Sequence, residues 1–336
     1  SGHKTQSRHA LSYYPSLDGT LGLKGDSGVS DLTYSSGTLT IDTTVGYWIH
    51  SGGDHGDGLI QSHDDNGITY KTCTFTFNSI SLTGSLNLVL KGDNSLVLKT
   101  QSNGNIVIGI DFNLDGEGWS WDDSTARKGS VNPILNNYRN WIGLGKIGGK
   151  NGIQNGNFVG IGPGAGNYRV EGTTESDGYK WKGGGGGYGS AGQYASTGFG
   201  QPYGSATLAH LHGGSSGGGG QWTGSGAGGG ALSLEAHGDG NLTILSGVTI
   251  SANGGITSER DNDRQGGGGS GGSLRFAGNN ITNNGTISAT GGTDIKIATG
   301  GGGRVAFNFK NNLSKGTVLV GSEPLRAPYR KIPPRS

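Results

Sequence analysis

The sequence predicts an all-β protein built as a parallel β-helix, and two observations carry this prediction. Two segments near the C-terminal end nearly repeat, and their closing motifs, Ser251-Ala-Asn-Gly-Gly255 and Ser288-Ala-Thr-Gly-Gly292, lie 37 residues apart (255 to 292). Part of this offset is a glycine-rich insertion, residues 254–272. The remainder is a coil of about 20 residues, the length of one solenoid turn.

Composition is the second observation. Of the 336 residues 73 are glycine, only 30% are hydrophobic and 15% charged, and the net charge is +1. Disordered chains usually combine low hydrophobicity with high net charge, so this polar but nearly neutral chain can fold if its few apolar side chains all point inward. The glycines are clustered between β-branched runs. We interpret the clusters as boundaries between strands, and disorder of the clusters themselves is the alternative.

Residues 1–67 are predicted to be an N-terminal segment or cap followed by the first strands, with a polar loop over 50–67. Residues 68–112 are predicted to form the first coils, because Cys73, Phe75 and Phe77 alternate with polar residues at a period of two. Turns of the Asn-Gly type separate these runs and would also suit antiparallel hairpins. We favour the β-helix because the runs are very short. Cys73, the only cysteine, is expected to be a buried strand residue.

Residues 113–230 are predicted to be a long insertion rich in glycine and aromatic residues, which holds five of the six tryptophans. We expect it to be partly ordered, with its rings packed on the flank of the coils. Later coils are predicted over 231–320. Residues 321–336 are a basic, proline-rich tail in which strand pairing should stop, because proline offers no ladder donor. A linker or exit tail is expected there, and a processing site is the alternative.

Three glycine-rich segments carry a resemblance to known proteins. Gly266-Gly-Gly-Gly-Ser-Gly-Gly-Ser-Leu-Arg-Phe276, Gly285-Thr-Ile-Ser-Ala-Thr-Gly-Gly292 and Gly300-Gly-Gly-Gly-Arg-Val-Ala-Phe307 resemble a pattern of large secreted glycine-rich proteins. Those proteins are themselves predicted to be right-handed parallel β-helices. The resemblance covers about residues 70–112 and 183–309. It implies a right-handed β-helical solenoid and secretion, but no activity, because the group includes surface, adhesive and carbohydrate-linked proteins.

A dense set of histidines and aspartates within 50–67 is a candidate metal site. Imidazole and carboxylate groups can hold Ca²⁺ or a transition metal, although no EF-hand or zinc spacing fits. A solvated polar loop is the alternative, and no other cofactor is expected. The candidate ligands are His50, Asp54, His55, Asp57, His63 and Asp64. Another pair, His210 and His212, is expected to face solvent or to pack within the glycine-rich loop.

A second candidate site lies in the insertion, where carboxylates neighbour tryptophans. Tryptophan rings can stack on the apolar face of a sugar, and paired carboxylates serve glycoside hydrolysis. Acidic turns near tryptophan are also common without catalysis, so no catalytic residue is assigned and we lean away from an enzyme. The candidate carbohydrate contacts are Trp119, Trp121, Asp122, Asp123 and Trp181. Four N-x-S/T sequons are candidate glycosylation sites in a eukaryotic secreted protein: Asn241, Asn280, Asn284 and Asn312.

These observations predict a secreted structural or adhesive protein of the cell surface or extracellular matrix, which could self-assemble end to end into a filament. The alternative is a polysaccharide-binding or polysaccharide-degrading β-helix protein, a lyase or hydrolase. A glycan-recognising fibre is a third hypothesis. Expected partners are copies of the same chain, other extracellular surface components or a polysaccharide. A nucleic-acid partner is not expected at a net charge of +1, and no apolar run is long enough to span a membrane.

Overall fold

The computed structural model describes residues 30–101, 103–118, 144–153, 159–171, 180–193, 198–220, 223–257, 266–293, 298–321 and 329–331. Within these ranges every regular element is a β-strand and there is no helix. The prediction of an all-β fold is therefore confirmed. The strands lie in mixed sheets, in which three parallel ladders occur together with antiparallel hairpins, and the first two ladders share the strands β17 (Ser273–Asn283) and β19 (Arg304–Ser314).

The first ladder consists of short parallel strands that alternate buried and half-buried residues. Leu32, Ile80, Ile106, Leu242 and Ile281 occupy the same register position in successive strands, and all five are buried. Strands far apart in sequence thus place aliphatic side chains at one face. The strands are β1 (Leu32–Tyr34), β7 (Ile80–Leu82), β10 (Ile106–Ile108), β15 (Leu242–Ile244), the second half of β17 (Ser273–Asn283) and the second half of β19 (Arg304–Ser314).

The second ladder has longer strands and aromatic as well as aliphatic core residues. Cys73, Leu96, Leu232, Leu274 and Val305 share one register position and are buried. Burial raises the pKa of the Cys73 thiol to about 12, and the expectation of a buried strand cysteine is confirmed. The strands are β6 (Ile68–Phe77), β9 (Ser95–Thr100), β14 (Ala231–Glu235), the first halves of β17 and β19, and β21 (Tyr329–Lys331). Strand β21 lies in the proline-rich tail, so the expectation that strand pairing stops there is wrong.

The third ladder is the shortest. Its parallel strands are β11 (Phe112–Asn113), β16 (Thr249–Ser251), β18 (Thr286–Ser288) and β20 (Thr317–Leu319). Phe112, Ile250 and Ile287 lie in register and are fully buried. Side chains from all three ladders belong to one hydrophobic core.

Within the described ranges, antiparallel pairing occurs in three places. Strands β2 (Thr38–Asp42), β3 (Tyr47–His50) and β4 (His55–Asp57) form a meander, whose first strand pairs in parallel with β8 (Asn87–Lys91). Strand β5 (Leu59–Asp65) pairs with β6 through a two-residue turn at Asn66 and Gly67, both with positive φ, as Asn-Gly hairpins require. Strands β12 (Tyr168–Glu171) and β13 (Lys180–Gly183) form the third hairpin.

The expected loop over 50–67 is wrong, because β4 and β5 lie there. Its residues are polar because β5 is mostly exposed and pairs through its backbone with the edge of β6. The antiparallel alternative for 68–112 holds only for the pairing of β6 with β5. On its other side β6 pairs in parallel with β9, and β7, β8 and β10 also pair in parallel.

Polar side chains form columns at the ends of the short strands. The Asn241 backbone N–H donates to Asn105 Oδ1 at 2.9 Å, and the Asn280 backbone N–H donates to Asn241 Oδ1 at 3.2 Å. In the same way the Asn253 N–H donates to Asp115 Oδ1 at 2.7 Å. Each side chain therefore satisfies a backbone donor one strand further along the ladder, where the chain leaves regular pairing.

The glycine clusters pack as a bundle of buried segments without regular secondary structure; we call residues 184–187, 213–220, 224–230, 266–272 and 301–303 the glycine bundle. One relay of backbone hydrogen bonds runs from Gly226 N to Gly267 O, from Gly267 N to Gly218 O and from Gly218 N to Gly184 O, at 2.8–3.0 Å. A Cβ on Gly269 would lie 1.9 Å from the Ala227 carbonyl oxygen. The clusters are thus packed rather than disordered, at a spacing that only glycine permits.

Candidate functional site

A cleft of about 290 Å³ lies where β6 begins, between that strand and the glycine bundle. Strand β6 supplies one wall, and residues before and after the bundle's buried segments supply the other. The lining residues are Ile68, Thr69, Tyr70, Lys71, Asp93, Ser95, Gly148, Lys150, Ile161, Gly162, Pro163, Tyr203, His212 and Gly213.

A cluster of histidine, aspartate and tyrosine forms the inner end of the cleft. His212 is 3% exposed, and its Nε2 lies 2.8 Å from Asp65 Oδ2. His210 Nε2 lies 3.8 Å from the other carboxylate oxygen of Asp65, and Tyr70 Oη lies 3.1 Å from His210 Nδ1. The Tyr70 ring packs against His212 with a centroid separation of 4.4 Å. The last residue of β5 therefore holds two histidines of the glycine-rich segment against the second ladder.

The electrostatics of this cluster favour uncharged side chains. Burial lowers the pKa of His212, although the hydrogen bond and charge of Asp65 act in the opposite direction. Burial also raises the pKa of Tyr70 and of Tyr203. At neutral pH His212 is therefore a neutral imidazole and both tyrosines keep their protons, so these three side chains offer hydrogen bonds rather than charge.

A second layer of hydrogen bonds fixes the wall behind His212. Tyr203 Oη donates to the Gly213 carbonyl oxygen at 2.5 Å and accepts from Ser215 Oγ at 3.1 Å. Arg304 donates to the Tyr203 carbonyl oxygen at 2.9 Å and lies over the ring of Tyr188, 5.3 Å from its centroid. These contacts join the cleft to β19, so the wall is held by the second ladder.

Three charged side chains line the outer part of the cleft. Lys71 and Asp93 are exposed and Lys150 is half-buried. Among the described residues neither ammonium group has a carboxylate within salt-bridge distance. Within the described part of the chain, the cleft therefore has two cations and one carboxylate in its lining without a salt bridge to any of them.

Three of the predicted metal ligands instead stabilise the β3–β4 turn. The His50 ring stacks on the Tyr34 ring, with their centroids 3.9 Å apart. His50 Nε2 lies 2.9 Å from the Ser36 carbonyl oxygen. Asp54 Oδ2 accepts from Tyr34 Oη at 2.8 Å, and His55 Nδ1 lies 3.1 Å from the Gly53 carbonyl oxygen. Asp57 ends β4 and is half-buried.

The other two predicted ligands, His63 and Asp64, lie on β5. His63 Nε2 lies 2.9 Å from Thr72 Oγ1. The His63 ring stacks on the Tyr70 ring, with their centroids 4.9 Å apart, so His63 borders the cluster around His212. Asp64 Oδ1 accepts from the Gly67 N–H at 3.0 Å across the hairpin turn. In the part of the chain that the structure describes, no three histidine, cysteine or acidic side chains form a metal-binding group. A metal in this region stays a prediction.

The predicted carbohydrate contacts Trp119, Trp121, Asp122 and Asp123 lie outside the described residues. Trp181 is placed in β13 by its backbone only. Among the sequons, Asn241 and Asn280 are half-buried and hydrogen-bonded to each other, whereas Asn284 and Asn312 are exposed.

Sequence reasoning missed the cluster around His212. The pairings of Asp65 with His212 and of Tyr70 with His210 join residues 147 and 140 positions apart. No local spacing connects residues at such separations. The one signal in the sequence was the presence of His210 and His212 two residues apart, directly before a glycine cluster.

Comparisons with protein-family models, with curated proteins and with solved structures find no match to this chain. Among the described residues there is also no helix long and apolar enough to cross a membrane. The function is therefore argued from geometry.

Proposed function

We propose that the protein is an extracellular structural or adhesive scaffold, in which the three ladders are the faces of a right-handed parallel β-helix. The observation that supports this most directly is the register of the ladders. Ile106 pairs with Leu242 across 136 positions of sequence (106 to 242), and Leu242 pairs with Ile281. A chain that returns to the same register after a long excursion builds a stack of coils.

A stack of coils suits a structural role because each strand is stabilised by the strands on both sides of it. Each buried aliphatic side chain contributes roughly 1.5–3 kcal/mol, whereas ordering the backbone costs about 1–2 kcal/mol for every residue of the coil. A single coil is therefore not stable alone, and stability accumulates with stacking. The result is an elongated, stiff particle.

The glycine bundle supports the same proposal. Its segments are buried and contact one another through backbone atoms, so the bundle has few side chains that could change rotamer. Close packing of this kind resists deformation. On the scaffold hypothesis the bundle is a brace along one flank of the stack.

End-to-end assembly is the form of self-association that the ladders favour. In the described part of the chain, β1 pairs only with β7, and β20 pairs only with β18. Leu319, in β20, is 47% exposed. An unpaired strand edge can add a strand from another molecule. On this proposal β1 of one copy would extend the first ladder of the next copy beyond the second half of β19, and the exposed Leu319 in β20 would be covered by the same contact.

The test is electron microscopy of purified protein together with sedimentation over a range of concentrations. We expect filaments or a series of linear oligomers, and a Leu319→Lys variant should shorten them. Leu59→Lys is the matched control, because Leu59 is 53% exposed on β5, away from the proposed contact. A protein that remains monomeric at every concentration and binds neither surface nor glycan would contradict the proposal. Immunolabelling of intact cells tests the extracellular location.

A further inference from the structure

We propose that the cleft between β6 and the glycine bundle binds one unit of an acidic saccharide, with the sugar carboxylate held between Lys71 and Lys150. This goes beyond the scaffold function, since a stack of coils needs no ligand. It places the polysaccharide-binding hypothesis at this cleft rather than near Trp119 and Trp121.

Charge is the first argument. Lys71 and Lys150 line the same cleft without a carboxylate partner among the described residues. Asp93 lines it as well, and a carboxylate can accept hydrogen bonds from sugar hydroxyl groups. The nearby charge of Asp65 is directed at His212 and Asn66, at 2.8 and 3.1 Å, and Asp65 does not line the cleft. A ligand with one carboxylate and several hydroxyl groups complements this arrangement.

The apolar part of the lining is the second argument. Ile161 is 46% exposed, Pro163 is exposed and Ile68 is half-buried, and all three line the cleft. A pyranose ring presents C–H groups on its faces, so it can cover such a surface while its hydroxyl groups reach polar atoms. A small inorganic anion would leave this apolar surface in water.

Size and rigidity are the third argument. About 290 Å³ is at the lower end of the range for small-molecule sites, which suits one sugar unit of a longer chain better than a folded partner. Tyr203 and His212 are held by the hydrogen bonds to Gly213, Ser215 and Asp65. A wall fixed in this way loses little freedom on binding, which favours affinity.

The experiment is titration calorimetry with three oligosaccharides of equal length: an oligogalacturonate, a neutral maltooligosaccharide and a sulfated maltooligosaccharide. We expect binding of the oligogalacturonate, at least tenfold tighter than of the other two, and weaker at 300 mM than at 50 mM NaCl because salt screens the ammonium groups. The double variant Lys71→Gln/Lys150→Gln should lose at least tenfold in affinity. Lys99→Gln, on β9 outside the cleft lining, should bind as the wild type does.

Thermal melting of each variant separates loss of the site from loss of the fold, and electron microscopy of the double variant should show unchanged assembly. Failure of the wild type to bind any of the three sugars would overturn the proposal. So would equal binding of all three, or an unchanged affinity in a folded double variant. None of these results by itself would contradict the scaffold hypothesis, which fails only if the protein also stays monomeric and binds no surface.

Discussion

Asn280 lies directly above Asn241 in the first ladder, and its Nδ2 donates to Asn241 Oδ1 at 2.7 Å. Asn312 continues the column, donating from Nδ2 to Asn280 Oδ1 at 3.1 Å. The three residues lie 39 and 32 positions apart in sequence. A polar side chain at the end of one strand is thus satisfied by the equivalent side chain of the next strand.

The first prediction concerns this column. Replacing Asn280 by Ala leaves Asn312 Nδ2 without its acceptor and removes one donor from Asn241, so the free energy of unfolding should fall by about 1–2 kcal/mol. Asn284→Ala is the control, because Asn284 is exposed, and it should change stability by less than about 0.5 kcal/mol. Urea denaturation of unglycosylated protein measures both. Equal effects of the two substitutions would contradict the role of the column.

The second prediction concerns the common core. Leu274 is fully buried between Leu232 and Val305, and Leu274→Ala should destabilise the protein by about 2–5 kcal/mol because it leaves a cavity. The same substitution at Leu319, which is 47% exposed, should cost well under half as much. Thermal melting compares the two variants. Equal losses of stability in the Leu274→Ala and Leu319→Ala variants would contradict the hydrophobic core that the three ladders share.

The third prediction concerns the glycine bundle. A methyl group on Gly269 would lie 1.9 Å from the Ala227 carbonyl oxygen, and backbone atoms on both sides limit relaxation. Gly269→Ala should therefore cost about 3 kcal/mol or more. At Gly67 an added methyl group meets nothing within 4 Å, and only the positive φ of 87° opposes it, at about 1–2 kcal/mol. If Gly269→Ala proves the milder change in urea denaturation, the bundle is not packed as described.

The fourth prediction concerns pH. Because burial lowers the pKa of His212 below its usual value, the unfolded chain takes up a proton at higher pH than the folded chain does. Stability should be fully present above the unfolded value of about 6.5 and should fall as the pH drops below it. Glu235 affects stability in a lower range of pH. Burial would raise its pKa, but hydrogen bonds and charge from His237, Arg275 and Ser233 lower it to about 2.

The unfolding free energy of the wild type should therefore decrease between pH 7 and pH 5, and His212→Gln should flatten this decrease while lowering stability overall. Below a pH of about 4.5, where unfolded glutamate begins to take up protons, the stability contributed by Glu235 should be lost in both proteins. Ile287→Val, which removes no titrating group, should keep the wild-type slope. A slope that His212→Gln leaves unchanged would mean that this imidazole is not held neutral by burial.

The sequence predicts those features of the fold that are encoded within a short stretch of residues. Alternation marks β6, and the repeat at 255 and 292 marks the paired strands β16 and β18, because a period and a repeat can be seen within a short window. The chain rejoins the first ladder at β15, and the sequence indicates this because β-branched runs reappear after the insertion. The hairpin turn at Asn66 and Gly67 has the Asn-Gly sequence typical of such turns, but the polar residues of β5 concealed its first strand.

The candidate site could not be predicted in the same way. Asp65, Tyr70 and His212 become neighbours only because the chain leaves the ladders after β11 and lays the glycine bundle back over β6. These contacts depend on packing between distant segments. Such packing produces no repeating pattern in the sequence from which it could be predicted. The charged lining has the same origin, because Lys71 and Lys150 belong to different parts of the chain.

Disulfide trapping tests the parallel stacking of distant strands most directly. Val107 and Thr243 are register partners in the first ladder, and both are only half-buried. Neighbouring strands lie about 4.8 Å apart, within reach of a disulfide. In a Cys73→Ala background, Val107→Cys/Thr243→Cys should cross-link under mild oxidation, whereas Val107→Cys/Thr286→Cys, which joins different ladders, should not. A folded protein in which the first pair stays reduced, or in which both pairs cross-link equally, would contradict the stacked ladders on which the proposed scaffold rests.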